Sequence, residues 1–346
     1  MKGLFHVLVL LLLFAEAIQA QVKTIQGQLK PFEVVASMRP DTVISSEHWM
    51  IRDFEFQGEN ILVLTWNKNP NKCVLRKINT EHREIDSLPL TEIPYAFFRD
   101  VFDQVYLITQ KHVYFIENNS LTLYKIKEDF FFGRIYPIAE RVDSSLFFST
   151  YNRKKPDFIY LNSKSDTLHE IRNKHLYDLY YSEYTFLPFH MKTEIKRRCS
   201  RSGESKYDVA AELTGFTNSL WWEDLYSPMF ASSDTVFIAD HYRDSLFLYD
   251  KSGKFLLAYP MNFHKEKGYE KEILRDYTSG EWFARYSING RTHLKPVGRQ
   301  AEITGESIKL HYRYIDKVKV HNGKAWYLYR PFESRQNSFL YAESIH

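Results

Sequence analysis

Glycine and cysteine are scarce in this chain, with 13 glycines and two cysteines among 346 residues. So little glycine leaves few places for a phosphate-cradling loop, and neither a P-loop nor G-x-G-x-x-G occurs. Cys73 and Cys199 are far apart in sequence, and neither belongs to a C-x-x-C pair, which excludes a redox motif or a zinc knuckle. A disulfide between them is open. A core of this size does not need that staple, so two separate buried thiols are the expected state. An excess of one charge is also missing: 46 Lys and Arg face 43 Asp and Glu, a net of +3. That balance gives no global field for a polyanion, and no nucleic-acid partner is expected.

Catalytic signatures are missing as well. His169-Glu170 is followed by Ile171, Arg172 and Asn173, and His175 falls out of the four-residue step that H-E-x-x-H needs. Ser202-Gly203-Glu204-Ser205-Lys206 lacks the second glycine of a G-x-S-x-G turn. After the N-terminal stretch no apolar run is long enough to cross a bilayer, so no transmembrane span is expected. The N-terminal stretch itself reads as a secretory signal: Lys2, an apolar Leu4 to Phe14, then small residues up to Ala20. Cleavage after Ala20, with Ala17 as the alternative, leaves residues 21–346 as one periplasmic or secreted domain. The first cysteine, Cys73, is too far downstream for a lipid anchor.

What the chain has in quantity is aromatic residues, 26 Phe, 24 Tyr and 6 Trp, and this excludes a disordered protein. Short β-rich runs recur after turn residues, with first apolar positions at 61, 105, 146, 236 and 325. The steps of 44, 41, 90 and 89 are one or two times a unit of about 40 to 45 residues, the length of a propeller blade. Second runs follow at 73–78, 113–116, 158–161 and 246–249, and Asp250-Lys251-Ser252-Gly253 supplies a turn with glycine at positive φ. Continuous apolar runs predict strands covered on both faces. Glu281 to Ile288, Asn289-Gly290 and Thr292 to Lys295 predict a hairpin that fills one double gap. The other double gap reads as an insertion or a degenerate blade around 172–225, with Tyr207 to Leu213 open to being helical. The expected fold is therefore all-β: a six-bladed β-propeller of four-stranded antiparallel blades with this insertion, seven blades being the alternative.

Ile51 to Phe56, the run Ile61 to Leu64 and the pattern from Asp234 to Gly253 resemble the uncharacterised exported six-bladed β-propellers, NHL-like or TolB-like, of Gram-negative gut bacteria. The resemblance covers most of residues 21–346 and brings no active-site motif with it. It implies a last blade closed by a strand from the other terminus, for which Phe32 to Val35 is the candidate.

Trp221, Trp222, Glu223 and Asp224 set aromatic platforms beside carboxylates, a pattern suited to sugars, and Trp282, Arg285 and Tyr286 invite the same reading. Inter-blade packing is the competing reading for both tryptophan groups. Lys196, Arg197, Arg198 and Arg201 form a basic cluster, read as a solvated loop with an anionic ligand as the alternative. No cofactor is expected. No metal site is expected; calcium is the metal to consider, because Asn67, Asn69 and Asn71 alternate and Asp240 and Asp244 flank a turn, but a polar hairpin is the preferred reading of the asparagines and turn capping that of the aspartates. His264, His293, His311 and His321 show no ligand spacing. Three functions follow: a binding or scaffold module for an envelope, carbohydrate or peptide ligand, a glycan lyase or hydrolase with dispersed residues, or a sensor or assembly subunit docking a protein through 172–225. A ring of sheets hides its own edges, so a monomer is expected.

Overall fold

Apolar and β-branched runs separated by polar turns pair with their neighbours in sequence, and the outcome is six four-stranded antiparallel sheets. The computed structural model describes residues 39–45, 49–67, 72–331 and 339–345. The chain divides into two units, Met1–Arg39 and Pro40–His346, and the described residues other than Arg39 belong to the second. The signal segment and Phe32 to Val35 lie outside the described residues.

Strand β1 (Asp41–Ser45) comes first. Sheet 1 follows with β2 (Trp49–Gln57), β3 (Asn60–Asn67), β4 (Cys73–Ile78) and β5 (Glu84–Leu90). Sheet 2 has β6 (Pro94–Arg99), β7 (Val105–Thr109), β8 (Val113–Ile116) and β9 (Leu123–Ile126), and sheet 3 has β10 (Ile138–Val142), β11 (Ser145–Ser149), β12 (Asp157–Leu161) and β13 (Thr167–Arg172). Sheet 4 is β14 (Met229–Ser232), β15 (Thr235–Asp240), β16 (Ser245–Asp250) and β17 (Phe255–Pro260), and sheet 5 is β18 (Tyr269–Arg275), β19 (Trp282–Ile288), β20 (Arg291–Val297) and β21 (Ile308–Arg313). Sheet 6 joins β22 (Ile315–His321), β23 (Lys324–Tyr329) and β24 (Phe339–Ser344) to β1, which pairs antiparallel with β24. The closing strand from the other end of the chain is thus Asp41–Ser45.

Successive sheets stack face to face, because each second strand is apolar on both sides. In β3, Ile61 and Val63 meet Trp326, Leu328 and Leu340 of sheet 6, while Leu62 and Leu64 meet Val105, Leu107 and Ile116 of sheet 2. Phe147 and Phe158 pack on Val236 and Ile238 between sheets 3 and 4, Phe237 on Trp282 between 4 and 5, and Phe283 and Leu294 on Tyr327 and Tyr341 between 5 and 6. The outermost strands β5 and β17 are largely exposed, β17 even though its sequence, Phe255-Leu256-Leu257-Ala258-Tyr259-Pro260, is apolar throughout. This closed succession is the architecture of a β-propeller.

The seam between sheets 2 and 3 is built differently. The connection coils through Glu128–Phe130 and Phe131–Ile135, and the fully buried Phe131 ring lies 5.4 Å from Phe98 and 5.2 Å from Tyr106. Phe98 in turn meets Tyr136 at 5.2 Å, so an aromatic cluster holds the connection against sheet 2.

Two sequence expectations find their outcome in the turns and the insertion. Asn289 and Gly290 both have positive φ, 52° and 73°, as a two-residue hairpin requires, and Gly253 has φ 88°. Residues 173–228 hold no sheet of their own but three helices, α1 (Lys174–Phe186), α2 (Phe189–Ser202) and α3 (Lys206–Thr214), so the span is an insertion and not a degenerate blade. The basic cluster Lys196 to Arg201 sits on α2 instead of in a loop. Asn173 and Ser205 cap α1 and α3 through their side chains, and Gly203 and Gly215 end α2 and α3 in the left-handed conformation.

Replacing Phe131 by Ala is expected to cost about 3–5 kcal/mol in urea unfolding, against less than about 0.5 kcal/mol for the half-exposed neighbour Phe132. Equal effects would mean that Phe131 does not hold the seam.

Candidate functional site

The first strand of each sheet lies innermost, and five of the six carry a register shift near their start: at Ile51/Asp53, Pro94/Ala96, Ile138/Glu140, Tyr269/Ile273 and Ile315/Val318. A bulge re-aims the side chains that follow it. In β2 the next inward positions are Asp53 and Glu55, and in β22 they are Lys317 and Lys319. Lys317 pairs with Asp53 and Lys319 with Glu55, a two-rung ladder joining the first sheet to the last. Asp53 also accepts the Phe97 amide of β6 at 3.0 Å, which ties sheet 1 to sheet 2. Burial pulls the Lys319 ammonium down from the ordinary lysine range even with Glu55 beside it.

Across the channel Glu140 of β10 accepts the Ala231 amide of β14 at 3.2 Å and the Arg275 guanidinium of β18 at 2.8 Å. Arg275 donates on to the Ala231 carbonyl at 3.0 Å, so three sheets meet at one ion pair. Burial nonetheless pushes the Glu140 carboxyl above its ordinary value, and the Arg275 Nε–H has no protein partner. On the far side of β18, Arg285 pairs with Glu272 at 2.7 Å and reaches the Ile315 and Asp316 carbonyls of sheet 6.

Two adjoining cavities occupy the channel, of about 650 Å³ and 320 Å³, sharing Phe98, Arg99, Arg275 and Tyr277 as walls. The larger opens at the ends of the inner strands, where Arg99, Arg141, Glu140, His321 and Tyr277 converge from different sheets. Tyr277 stands between two guanidiniums, Arg99 at 4.5 Å and Arg275 at 5.1 Å from its ring, and 55% of it is open to the cavity. Enclosure by the channel walls and the charge of Glu140 push its phenol above the ordinary tyrosine value. Arg99 is paired with Asp103 at 2.8 Å, whereas Arg141 lies over the Phe102 ring at 4.8 Å with no carboxylate partner among the described residues. This wall offers cationic donors in fixed positions, an aromatic face and one buried carboxyl.

Of the residues singled out in the sequence, Trp222 and Asp224 come together at a separate cavity of about 460 Å³ with Arg153. There Trp222 donates to the Arg153 carbonyl at 3.0 Å, and Asp224 pairs with the Arg153 side chain at 2.9 Å. Trp221 is 74% exposed, and Glu223 pairs with Lys271. Trp282 and Tyr286 are buried between sheets 4 and 5, with the Tyr286 hydroxyl donating to the Phe263 carbonyl at 2.8 Å. Their role is inter-sheet packing, and Arg285, which alternates to the other face, works as an inter-sheet tie. Cys73 lies in β4 and Cys199 in α2, with no disulfide between them.

Asp240 is fully buried, capping the turn by accepting the Tyr242 and Arg243 amides at 2.9 and 3.2 Å and accepting from His169 at 2.9 Å. Asp244 instead takes His264 and Lys265. Asn67 ends β3, while Asn69 and Asn71 lie outside the described residues. Among the described residues no cluster of three or more His, Cys, Asp or Glu converges as metal ligands.

No family model matches the chain, and no curated protein matches it in sequence. Solved structures with similar coordinates include virginiamycin B lyase from Staphylococcus aureus, at 9% identity over 89% of each chain with a TM-score of 0.36. Regucalcin from Agrobacterium tumefaciens is similar over 88% of this chain and 93% of its own, at 8% identity and TM-score 0.40. BamB from Moraxella catarrhalis is similar over 86% and 82%, at 9% identity and TM-score 0.33. Likeness at this level says nothing of what the chain binds.

Beside Asp244, His241 accepts from the Tyr269 hydroxyl at 2.8 Å and donates from Nδ1 to the Ala239 carbonyl at 3.0 Å, which fixes a neutral ring. Burial, with His264 nearby, lowers its pKa to about 4. Between pH 6.5 and 4 the unfolded chain therefore binds the extra proton, and stability falls as pH falls through that window, by up to about 3 kcal/mol. Burial also lowers His293 and His321, with the same sign. Urea unfolding across that range is expected to show the loss, and His241→Gln to flatten part of it; an unchanged slope would remove His241 as the cause.

Proposed function

We propose that the chain is an exported six-bladed β-propeller that works as a binding module, taking an acidic carbohydrate or peptide at the wide end of its channel. The observation that carries the reading is the convergence of Arg99, Arg141, Arg275 and Tyr277 on the cavity of about 650 Å³. Arg141 is the cation left over after the internal pairs are made, and a ligand carboxylate matches it in charge and in hydrogen-bonding type. Tyr277 supplies a face for a sugar ring or a peptide side chain. Arg99 is held by Asp103 of its own turn and Arg275 by Glu140 of another sheet, so these two cations are set before a ligand arrives, which lowers the ordering cost of binding. Export to the periplasm or beyond is supported by Lys2, the apolar Leu4 to Phe14 and the small residues up to Ala20.

A second, catalytic reading rests on Glu140, whose carboxyl is pushed up by burial in the same cavity and is thereby suited to general acid work on a glycan. It is separated from the first by looking for product.

Thermal unfolding of the folded protein against a panel of acidic oligosaccharides and acidic peptides is the test. A ligand at 100 times its Kd stabilises by about 2.7 kcal/mol. Arg141→Ala and Tyr277→Ala are expected to keep the unliganded midpoint and to lose at least about 1.4 kcal/mol of the ligand-induced stabilisation, a tenfold loss of affinity. No shift with any member of the panel overturns the binding reading. Product formed by the wild type and not by Glu140→Gln would move the protein to the catalytic one.

A further inference from the structure

The helical insertion has a feature that the channel does not explain. Helices α1 and α2 meet at Phe186-Leu187-Pro188-Phe189, where Pro188 occupies the N-cap position of α2 with φ −59° and ψ 153°. The inner side of the hairpin is satisfied: Ile195 of α2 is buried with Val209 and Ala210 of α3, and Tyr180 of α1 packs with Ala211 and Phe216. The corner is not. Phe186 is 83% exposed and Phe189 85% exposed, two large apolar side chains standing in solvent three positions apart in the sequence. Single exposed apolar residues need no explanation, but two at the convex tip of a hairpin do.

The charges that follow indicate what covers them. Helix α2 carries five cations, Lys192, Lys196, Arg197, Arg198 and Arg201, against the single acid Glu194. At 100° per residue, Phe189, Thr193, Lys196, Arg197, Ser200 and Arg201 all lie within about 80° of the direction opposite the buried Ile195. Phe189 and the cations therefore share the solvent-facing half of the helix. Arg197 pairs with Glu194, and Arg198 is spent on Glu204 and Glu212, but Lys196 and Arg201 have no carboxylate partner among the described residues.

We propose that this corner docks on an anionic lipid bilayer, with Phe186 and Phe189 entering the interface and Lys196 and Arg201 meeting lipid phosphates. A convex apolar tip suits a medium that deforms around it, whereas a protein hot spot packs into a preformed pocket. Charge complementarity selects the anionic surface: each cation near it strengthens binding about fivefold. The proposal concerns a different part of the molecule from the channel and stands whether or not that cavity binds a ligand.

The test is co-sedimentation of the full chain with vesicles of phosphatidylcholine alone and of phosphatidylcholine with phosphatidylglycerol. It is run at a Debye length of about 10 Å and again at about 3 Å. Wild type is expected to bind the mixed vesicles at the longer Debye length and at least tenfold more weakly to phosphatidylcholine alone or at the shorter one. Lys196→Glu with Arg201→Glu is expected to lose about thirtyfold or more. Phe186→Ser with Phe189→Ser is expected to lose at least tenfold, while both pairs keep the wild-type unfolding midpoint because all four side chains lie outside the core. Absence of binding to the mixed vesicles, equal binding to both kinds, or wild-type binding by either double variant overturns the proposal. The first of these would turn the same corner into a protein-docking surface.

Discussion

Six strands brought together around one axis leave little room for apolar side chains and much unsatisfied polarity, and the structure meets that constraint with ion pairs that cross from sheet to sheet. Asp53 touches both Lys317 of the last sheet and the Phe97 amide of the second. Glu140 and Arg275 join sheets 3, 4 and 5 through the Ala231 amide and carbonyl. Each pair is a spacer as much as an attraction. A buried pair gains little over a well-packed apolar substitute, but losing one partner strands the other, so the network penalises any displacement of one sheet against its neighbour.

The wall of the larger cavity is an extension of the same network. Arg99 and Arg275 are fixed by Asp103 and Glu140, and their guanidiniums in turn flank Tyr277. At Arg275 the contact that orients the side chain also ties sheets together, whereas Arg141, at the cavity edge over Phe102, takes no part in holding the ring.

The second and third strands of most sheets were legible in the sequence because stacking covers both their faces, so they read as unbroken apolar runs such as Ile61 to Leu64 and Val236 to Ala239. The inner strands were not. Their charges and bulges destroy the period of two, and Tyr269-Glu270-Lys271-Glu272 reads as a solvated loop until Arg285 is seen to face it. One signal was present: Asp53 and Glu55, and Lys317 and Lys319, are matched i, i+2 charges placed shortly before an apolar run, as two inward rungs demand. The wall of the cavity was hidden for another reason, since Arg99, Glu140, Arg275 and His321 are separated by tens of residues to more than a hundred and only ring closure brings them together. Trp282 and Tyr286 illustrate the reverse case. Spaced by four with Ala284 between them, they share the face that packs on sheet 4, while Arg285 between them faces the other way. Helix α2 escaped because its inward stripe reduces to Ile195 with Cys199 half-buried, too narrow for an amphipathic pattern.

The pairing of β1 with β24 joins Asp41–Ser45 to residues about 300 positions later. Until the last strand has been made, β1 is an unpaired edge, and the sheet it completes lacks a quarter of its strands. Loop closure over that separation is among the slowest contacts a chain can form, so ring closure comes late in folding and the preceding five sheets wait with apolar faces open. Nothing in the pairing distinguishes a chain's own β1 from that of a second molecule. At high concentration, refolding is therefore expected to compete with exchange of that strand between copies.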